Sequence, residues 1–281
     1  MRTIKLTLAY DGTDYAGWQV QADRPTVQST VEEAVEKVTG QRVRALASGR
    51  TDAGVHALGQ VVSLRIETRL SADVLRRALN AELPPDVAVL EASEAPDDFH
   101  PIRDAVRKRY RYVIHDGPVR EVLRRHHCWH YVHGRLDAEA MQRAAVALVG
   151  THDFSSFQTS GAKRKTTIRT VSHLSVARVE EGLGPFGTQF QQGRGASSDS
   201  DLVRRAEQGR AGRLDWIVVE IEADGFLYNM ARAIVGTLVE VGRKAQPETW
   251  PAEVLRAADR TIGGPTAPPQ GLLLVSVDYE T

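Results

Sequence analysis

The chain has 281 residues with 36 basic and 36 acidic side chains, so its formal net charge is zero. This balance excludes a global field that would attract a polyanion, and any nucleic-acid surface must be local. Hydrophobic residues make up 42% of the sequence, enough for one large or two modest cores. The single cysteine, Cys128, excludes an internal disulfide framework and is typical of a reducing compartment.

Membrane and secretion signals are missing from the printed sequence. No apolar run approaches the length of a membrane span, and the first residues lack the apolar core of a secretion signal. We therefore expect a soluble, cytoplasmic protein without a membrane partner.

The first hundred residues alternate apolar runs with amphipathic stretches. Their periodicity predicts strands over 3–10, 42–47, 60–66 and 87–91, and helices over 26–39 and about 71–82. Gly40 follows the first helix as a stop signal, and Pro84 ends the second.

The chain from residue 105 onward repeats this style. It predicts strands over 109–115, 128–132, 168–179, 215–223 and about 272–279, and helices over 137–149 and 226–241. Residues 180–213 are rich in Gly, Gln, Ser and Arg, which predicts a flexible insertion. The simplest architecture is α+β, with two αβ halves (1–104 and 105–281) whose sheets are mainly antiparallel.

Residues 49–56, Gly-Arg-Thr-Asp-Ala-Gly-Val-His, form a small-residue loop between two predicted strands. Arg50 and Asp52 are two positions apart, so in extended chain they share a side, and the guanidinium would lower the pKa of the carboxyl. An ionised carboxylate can act as a nucleophile or a base. On turn chemistry alone, an ordinary loop is the commoner interpretation.

Arg232 is the only charged side chain between positions 225 and 239, within a predicted apolar helix. A buried arginine is costly unless it is paired, so we expect an acidic partner. Tyr110 and Tyr112 share one face of a predicted strand among basic residues. Each could stack on an unpaired base or pack in the core.

Basic residues are dense in two stretches. Residues 103–125 contain eight (Arg103, Arg107, Lys108, Arg109, Arg111, Arg120, Arg124 and Arg125) against three acids, and Lys163, Arg164, Lys165 and Arg169 follow without one. These clusters predict phosphate-binding patches, and a solvated charged face is the alternative.

Histidines crowd around Cys128, where alternation would put His126, Cys128 and His130 on one strand face. No familiar metal-ligand spacing surrounds them, so we expect no metal. His56 in the 49–56 loop is interpreted as a hydrogen-bonding brace rather than a base.

The 49–56 loop, followed by Ala-Leu-Gly-Gln-Val-Val, closely resembles the signature of the TruA family of tRNA pseudouridine synthases. Further blocks resemble that family in the same order, namely residues 8–21, 96–114, 150–157, 166–171, 225–242 and 266–279. Ordered matches over nearly the full length are far more specific than one motif.

The resemblance implies two ferredoxin-like halves around a central basic cleft. It also implies a homodimeric isomerase that converts uridines 38, 39 and 40 of the tRNA anticodon stem-loop to pseudouridine without a cofactor. Asp52 would be the catalytic residue, Tyr110 would lie against the target base, and Arg232 would reach Asp52. We assign Arg50 to electrostatic positioning of Asp52 and phosphate.

Two other classes of function compete with this one. A non-catalytic RNA-binding module would not need Asp52, Tyr110 and Arg232 together. A glycoside or nucleoside hydrolase would usually need a second carboxylate, and the matched blocks offer no obvious partner for Asp52 beyond the loop residues Asp97 and Asp98.

Overall fold

The computed structural model describes residues 1–159, 166–179 and 216–280. Its strands are β1 (Arg2–Tyr10), β2 (Leu46–Ala47), β3 (His56–Ile66), β4 (Val87–Ala95), β5 (Ala105–His115), β6 (Trp129–His130), β7 (Gly150–Asp153), β8 (Ile168–Val179), β9 (Trp216–Ala223) and β10 (Leu272–Tyr279). Its helices are α1 (Val27–Thr39), α2 (Ala72–Glu82), α3 (Ala138–Ala145), α4 (Met230–Gly242) and α5 (Trp250–Ala257). The predicted insertion at 180–213 lies outside the described residues.

The described strands form one sheet in the order β4-β1-β3-β10-β5-β9-β8-β7, with β2 beside β3 and β6 beside β5. Pairing is antiparallel except between β10 and β3 and between β5 and β6. The α+β class with mainly antiparallel pairing is therefore confirmed. The boundary between residues 104 and 105 stays a prediction.

The last strand joins the two parts of the sheet. Leu273 and Leu274 of β10 pair in parallel with His56 and Ala57 of β3. Along the other edge, β10 pairs antiparallel with β5, where Leu274 lies opposite Tyr110. The start of β3, directly after the 49–56 loop, is thus brought within two strands of Tyr110.

The helix starts follow local capping chemistry. Thr26 caps α1, accepting a hydrogen bond from the Ser29 N–H while the Ser29 hydroxyl accepts from the Thr26 N–H. Gly40 ends that helix in the left-handed region, as expected. Ser71 caps α2 through the Val74 N–H.

Several predicted bounds are wrong. The strand predicted over 42–47 is only the two residues of β2, and the strand predicted over 128–132 is only the two residues of β6. Predicted helix 137–149 ends at Ala145 and continues as one 3-10 turn. Predicted helix 226–241 begins four residues late, because Asn229 adopts a left-handed φ of 62° that an α-helix cannot include. The short α5 was not predicted.

Helix α4 is the most deeply packed helix near the loop. Eleven of its 13 residues are buried, and only Arg232 and Glu240 reach partial exposure. A helix that is apolar on all sides belongs to an interior. Arg232 is therefore a charged group held by a rigid, buried element. Among the described residues, every helix is too short or too polar to cross a bilayer.

Candidate active site

The loop that carries Asp52 rests on a network of buried polar side chains. Gln60 of β3 donates a hydrogen bond to the Gly49 carbonyl at 2.9 Å and accepts one from the Ser48 hydroxyl at 2.7 Å. The Thr51 and Tyr10 hydroxyls lie 2.8 Å apart. The two hydroxyl contacts are buried and the bond to Gly49 is partly buried, so the backbone before Asp52 is held in place.

The segment between β1 and α1 holds the loop from the other side. The Trp18 N–H donates to the Thr51 carbonyl at 3.0 Å. Gly17 has a φ of 94°, and a Cβ there would lie 2.6 Å from the Thr51 carbonyl oxygen. Only glycine permits both this dihedral and this approach. The Val55 N–H closes the turn by donating to the Asp52 carbonyl at 3.1 Å.

Arg232 is the partner of Asp52. Its NH1 donates to Asp52 Oδ2 at 3.2 Å, and the Asp52 and Arg232 side chains are only 27% and 15% exposed. The expectation that Arg232 needs an acidic partner is confirmed. Two further acceptors orient the guanidinium, since Nε donates to the Ala267 carbonyl at 2.7 Å and NH1 to Asn229 Oδ1 at 2.9 Å.

A backbone crossing brings Ala267 to Arg232. At Gly236 of α4, a Cβ would lie 1.6 Å from the Pro265 carbonyl oxygen, so the chain crosses the helix in direct contact. The Gly264 N–H donates to the Thr237 hydroxyl, and the Ala267 N–H donates to the Arg232 carbonyl at 3.1 Å. The Arg232 backbone and side chain are thereby fixed by the same segment.

Burial raises the pKa of the Asp52 carboxyl, and the Arg232 charge and hydrogen bond lower it by less. The predicted lowering by Arg50 is therefore wrong. Arg50 is solvent-exposed and forms no hydrogen bond or ion pair within the described residues. The cation that opposes desolvation comes from a helix 180 positions away rather than from the adjacent loop position.

Tyr110 lies in the same electrostatic environment. Its ring is 8% exposed and packs edge-on against Phe226, with centroids 4.8 Å apart. Burial, with a contribution from the Asp52 charge, raises the pKa of Tyr110 well above its usual range, so the phenol keeps its proton. Tyr112 is fully buried and donates to the Pro268 carbonyl, so Tyr112 takes the core alternative.

The arginines of β5 are paired, which corrects the prediction of a free basic cluster there. Arg107 pairs with Asp278 at 2.7 Å, Arg109 with Glu222, and Arg111 with Glu220. We call these three residues the β5 arginine row. Their partners lie on the neighbouring strands β9 and β10, far away in sequence. Predicted phosphate contacts at 163–165 lie outside the described residues.

Asp11, His56 and His127 are the only group of three or more potential ligands whose donor atoms converge within the described ranges. Asp11 lies 3.0 Å from His56 Nδ1 and 2.9 Å from His127 Nε2. The Gly12 N–H donates to His56 Nδ1 at 3.0 Å, so His56 joins the segment after β1 to the start of β3. This hydrogen bond is the one that the bracing interpretation of His56 requires, and the choice between brace and base stays a prediction.

The histidines around Cys128 find other partners. The Cys128 thiol donates to the Arg124 carbonyl, and His130 Nε2 lies 3.0 Å from the Gly117 carbonyl. Burial raises the pKa of the Cys128 thiol to about 12, so a thiolate ligand is disfavoured at neutral pH.

Sequence reasoning did not identify Tyr10, Gln60 or Asn229 as part of the site. Gln60 had a usable signal, because it is a polar side chain in a mostly apolar strand, and a polar group buried there must find hydrogen-bond partners. The Asn229 contact depends on a left-handed residue before α4, which apolar periodicity does not reveal.

Comparisons with known proteins agree with this geometry. A family model described as tRNA pseudouridine synthase matches residues 7–102 and 144–280. A tRNA pseudouridine synthase A of Moorella thermoacetica is 43% identical over 282 residues, covering 99% of this chain and 100% of the relative. Proteins with the same description from Thermoanaerobacter sp. (strain X514) and Geotalea daltonii are 40% and 42% identical, each over 99% of this chain and 100% of the relative. This chain belongs to the tRNA pseudouridine synthase family.

Proposed function

We propose that this protein isomerises uridine to pseudouridine at positions 38, 39 and 40 of the tRNA anticodon stem-loop, with Asp52 as its catalytic residue. One observation carries the proposal: a desolvated carboxylate, Asp52, receives a hydrogen bond from the buried-helix residue Arg232 at 3.2 Å. A carboxyl whose pKa is perturbed by burial and by one specific charge partner is typical of a functional site.

The reaction needs no redox step and no energy source. The N1–C1′ bond breaks, the base turns, and a C5–C1′ bond forms while the C5 proton leaves to solvent and N1 gains a proton. The Asp52 carboxylate starts this sequence by adding to the substrate or by removing a proton, and either role requires its ionised form. Arg232 supports ionisation against the burial that disfavours it.

Tyr110 is proposed to present its ring to the target base. Because burial keeps the phenol protonated, Tyr110 acts as an apolar surface and hydrogen-bond donor rather than as a phenolate base. The target uridine must leave its stack to reach Asp52, at a cost of a few kcal/mol. Stacking and phosphate contacts offset that cost.

Arg50 is proposed to bind phosphate beside the site. It is exposed and next to the catalytic loop, and no carboxylate within the described residues pairs with it. Exposed Arg120 and Arg125 are further candidates, whereas the β5 arginine row already has acidic partners. Each phosphate contact releases counterions and makes affinity salt-dependent.

The homodimer and the cytoplasmic location are proposed from kinship alone. Light scattering on purified protein, with and without tRNA, is expected to give twice the mass of one 30.9 kDa chain. A monomer that fully modifies tRNA would remove the dimer from the proposal.

A tritium-release assay tests the reaction. Transcribed tRNA carrying 5-³H-uridine is incubated with the protein, and both water-borne tritium and the nucleoside products are measured. An isomerase releases the label and yields pseudouridine, a binding module releases nothing, and a hydrolase frees uracil. A transcript with cytidine at positions 38 to 40 is the matched control and is expected to release no label.

A further inference from the structure

The residue before helix α4 has an unusual conformation for its position. Asn229 is the N-cap of α4, yet its φ is 62° and its side chain makes no capping hydrogen bond. Asparagine is among the preferred N-caps because its side chain can accept from the first free N–H groups. Here that favourable interaction is given up, and a left-handed backbone, rare outside glycine, is accepted.

The Asn229 side chain contacts Arg232 instead. Its Oδ1 accepts from Arg232 NH1 at 2.9 Å, and its Nδ2 donates to the Thr159 hydroxyl at 3.0 Å. A guanidinium has no acceptor, so only the oxygen of the amide can face it, and the orientation of the amide is fixed. Thr159 is itself held, because its N–H donates to the Tyr228 carbonyl at 3.1 Å.

The same guanidinium nitrogen that contacts Asn229 also contacts Asp52. Oδ1 of Asn229 and Oδ2 of Asp52 therefore share NH1, while Ala267 holds Nε. Without Asn229, NH1 would lose the neutral acceptor that orients it toward the loop.

We propose that Asn229, supported by Thr159, is a positioning residue that aims Arg232 NH1 at Asp52. Its left-handed backbone places the amide between Arg232 of α4 and the Thr159 hydroxyl. The inference rests on the proposed function only where catalysis is the readout. The ionisation of Asp52 provides a second readout that needs no turnover.

The test uses Asn229→Gly, because glycine adopts a φ of 62° without strain and removes only the amide. Lys244→Gly is the matched control, since Lys244 follows the other end of α4, is exposed and has a φ of 63°. Among the described residues, Arg232 is the charged group that shifts the Asp52 pKa, and the Asp52 charge in turn acts on Tyr110; neither side chain is changed by these variants.

We expect Asn229→Gly to lower the single-turnover rate constant about 10- to 100-fold, with KM changing less than about threefold, because a misplaced positioning group costs rate rather than binding. The acidic limb of the rate profile moves to higher pH, since Arg232 then opposes the desolvation of Asp52 less well. Carboxyl ¹³C NMR titration should find the same upward shift of the Asp52 pKa. Lys244→Gly should match wild type in all readouts.

A double-mutant cycle separates positioning from independent action. Asn229→Gly should add less than about threefold to the loss in Arg232→Gln, because its effect requires the guanidinium. Full multiplication of the two losses, or an Asp52 titration in Asn229→Gly identical to wild type, would overturn the inference. A wild-type protein that releases no tritium would overturn the proposed function and leave the NMR titration as the test of Asn229.

Discussion

The Asp52–Arg232 pair joins a loop to helix α4, whereas the β5 arginine row lies within the sheet, and the two sets of ion pairs are built differently. In the β5 arginine row, each guanidinium directs two of its nitrogens at a carboxylate on a neighbouring strand. Arg232 gives Asp52 one N–H at 3.2 Å and shares that nitrogen with Asn229. The first arrangement satisfies its charges, and the second leaves its carboxylate partly unsatisfied.

The difference separates charges that hold the fold from charges available to a substrate. Two-nitrogen pairing is the stronger geometry and leaves little capacity for another anion. A carboxylate that is desolvated and singly bonded retains lone pairs and reactivity. A high density of arginines in the sequence therefore did not predict which arginines can bind phosphate, because the strands beside β5 supply acidic partners for the β5 arginine row.

The largest expected effect comes from breaking the most buried pair of the row. The Arg111 side chain is 5% exposed and its partner Glu220 is 17% exposed. Arg111→Met should lower the free energy of unfolding by about 3–5 kcal/mol, because it leaves the Glu220 carboxylate in the sheet without the arginine that pairs with it. Denaturant unfolding measures this, while the rate per folded molecule should stay near wild type.

The exposed member of the row is the control for that experiment. Arg107 is 49% exposed, so Arg107→Gln should cost at most about 1 kcal/mol. Equal losses of unfolding free energy for Arg111→Met and Arg107→Gln would mean that the contribution of these ion pairs does not depend on their burial.

The next largest effect is expected from removing the cation of the Asp52–Arg232 pair. Arg232→Gln should lower the single-turnover rate about 10²–10³-fold, the typical loss of one oriented charge-stabilising donor. It also removes the charge and hydrogen bond of Arg232 that lower the Asp52 pKa against burial, so the acidic limb of the rate profile should move to higher pH. The single-turnover rate of Arg232→Lys should fall between those of wild type and Arg232→Gln, because lysine keeps the positive charge but loses the second donor nitrogen. A limb that stays in place would separate Arg232 from Asp52 ionisation.

A smaller effect is expected from the exposed arginine of the loop. Arg50→Gln should reduce the slope of log affinity for tRNA against log salt by about one, because one phosphate contact is lost. Filter binding over a range of KCl concentrations measures the slope, and Arg107→Gln should leave it unchanged. If Arg50→Gln shifts the acidic limb of the rate profile, then Arg50 acts on Asp52 after all.

The smallest effect concerns stability and pH. Burial raises the folded-state pKa of Asp52, so the fold favours the neutral carboxyl, and ionised Asp52 costs stability as pH rises through that pKa. Asp52→Asn should therefore raise Tm at pH 7 on the order of 2 °C. The gain should vanish in acid, where the wild-type carboxyl is protonated in both folded and unfolded chains. A lower Tm at pH 7 would mean that the bond to Arg232 outweighs desolvation.

Alternation and capping residues predicted several strands and helix starts correctly. Strands β8 and β10 and the starts of α1 and α2 follow from alternation and capping residues. The start of α4 could not be predicted, because the left-handed Asn229 depends on contacts with Thr159 and Arg232. The parallel pairing of β10 with β3 is likewise a product of packing.

The site was predicted in part. The position of Arg232 in an apolar helix predicted an acidic partner, but only the family resemblance identified that partner as Asp52. The sign of the Asp52 pKa shift was wrong, since proximity of Arg50 in sequence says nothing about desolvation, which depends on the whole enclosure. The polar network of Tyr10, Gln60 and Ser48 is visible only once three separate segments are placed together.

The Asp52 carboxylate is proposed to perform the chemistry, while other residues bind the tRNA. Single-turnover tritium release by Asp52→Asn, measured beside its tRNA affinity, tests this most directly. We expect a rate at least about 10⁴-fold below wild type, as for the loss of an essential nucleophile or base, with the affinity for tRNA within about threefold of wild type. Release within tenfold of wild type would contradict it.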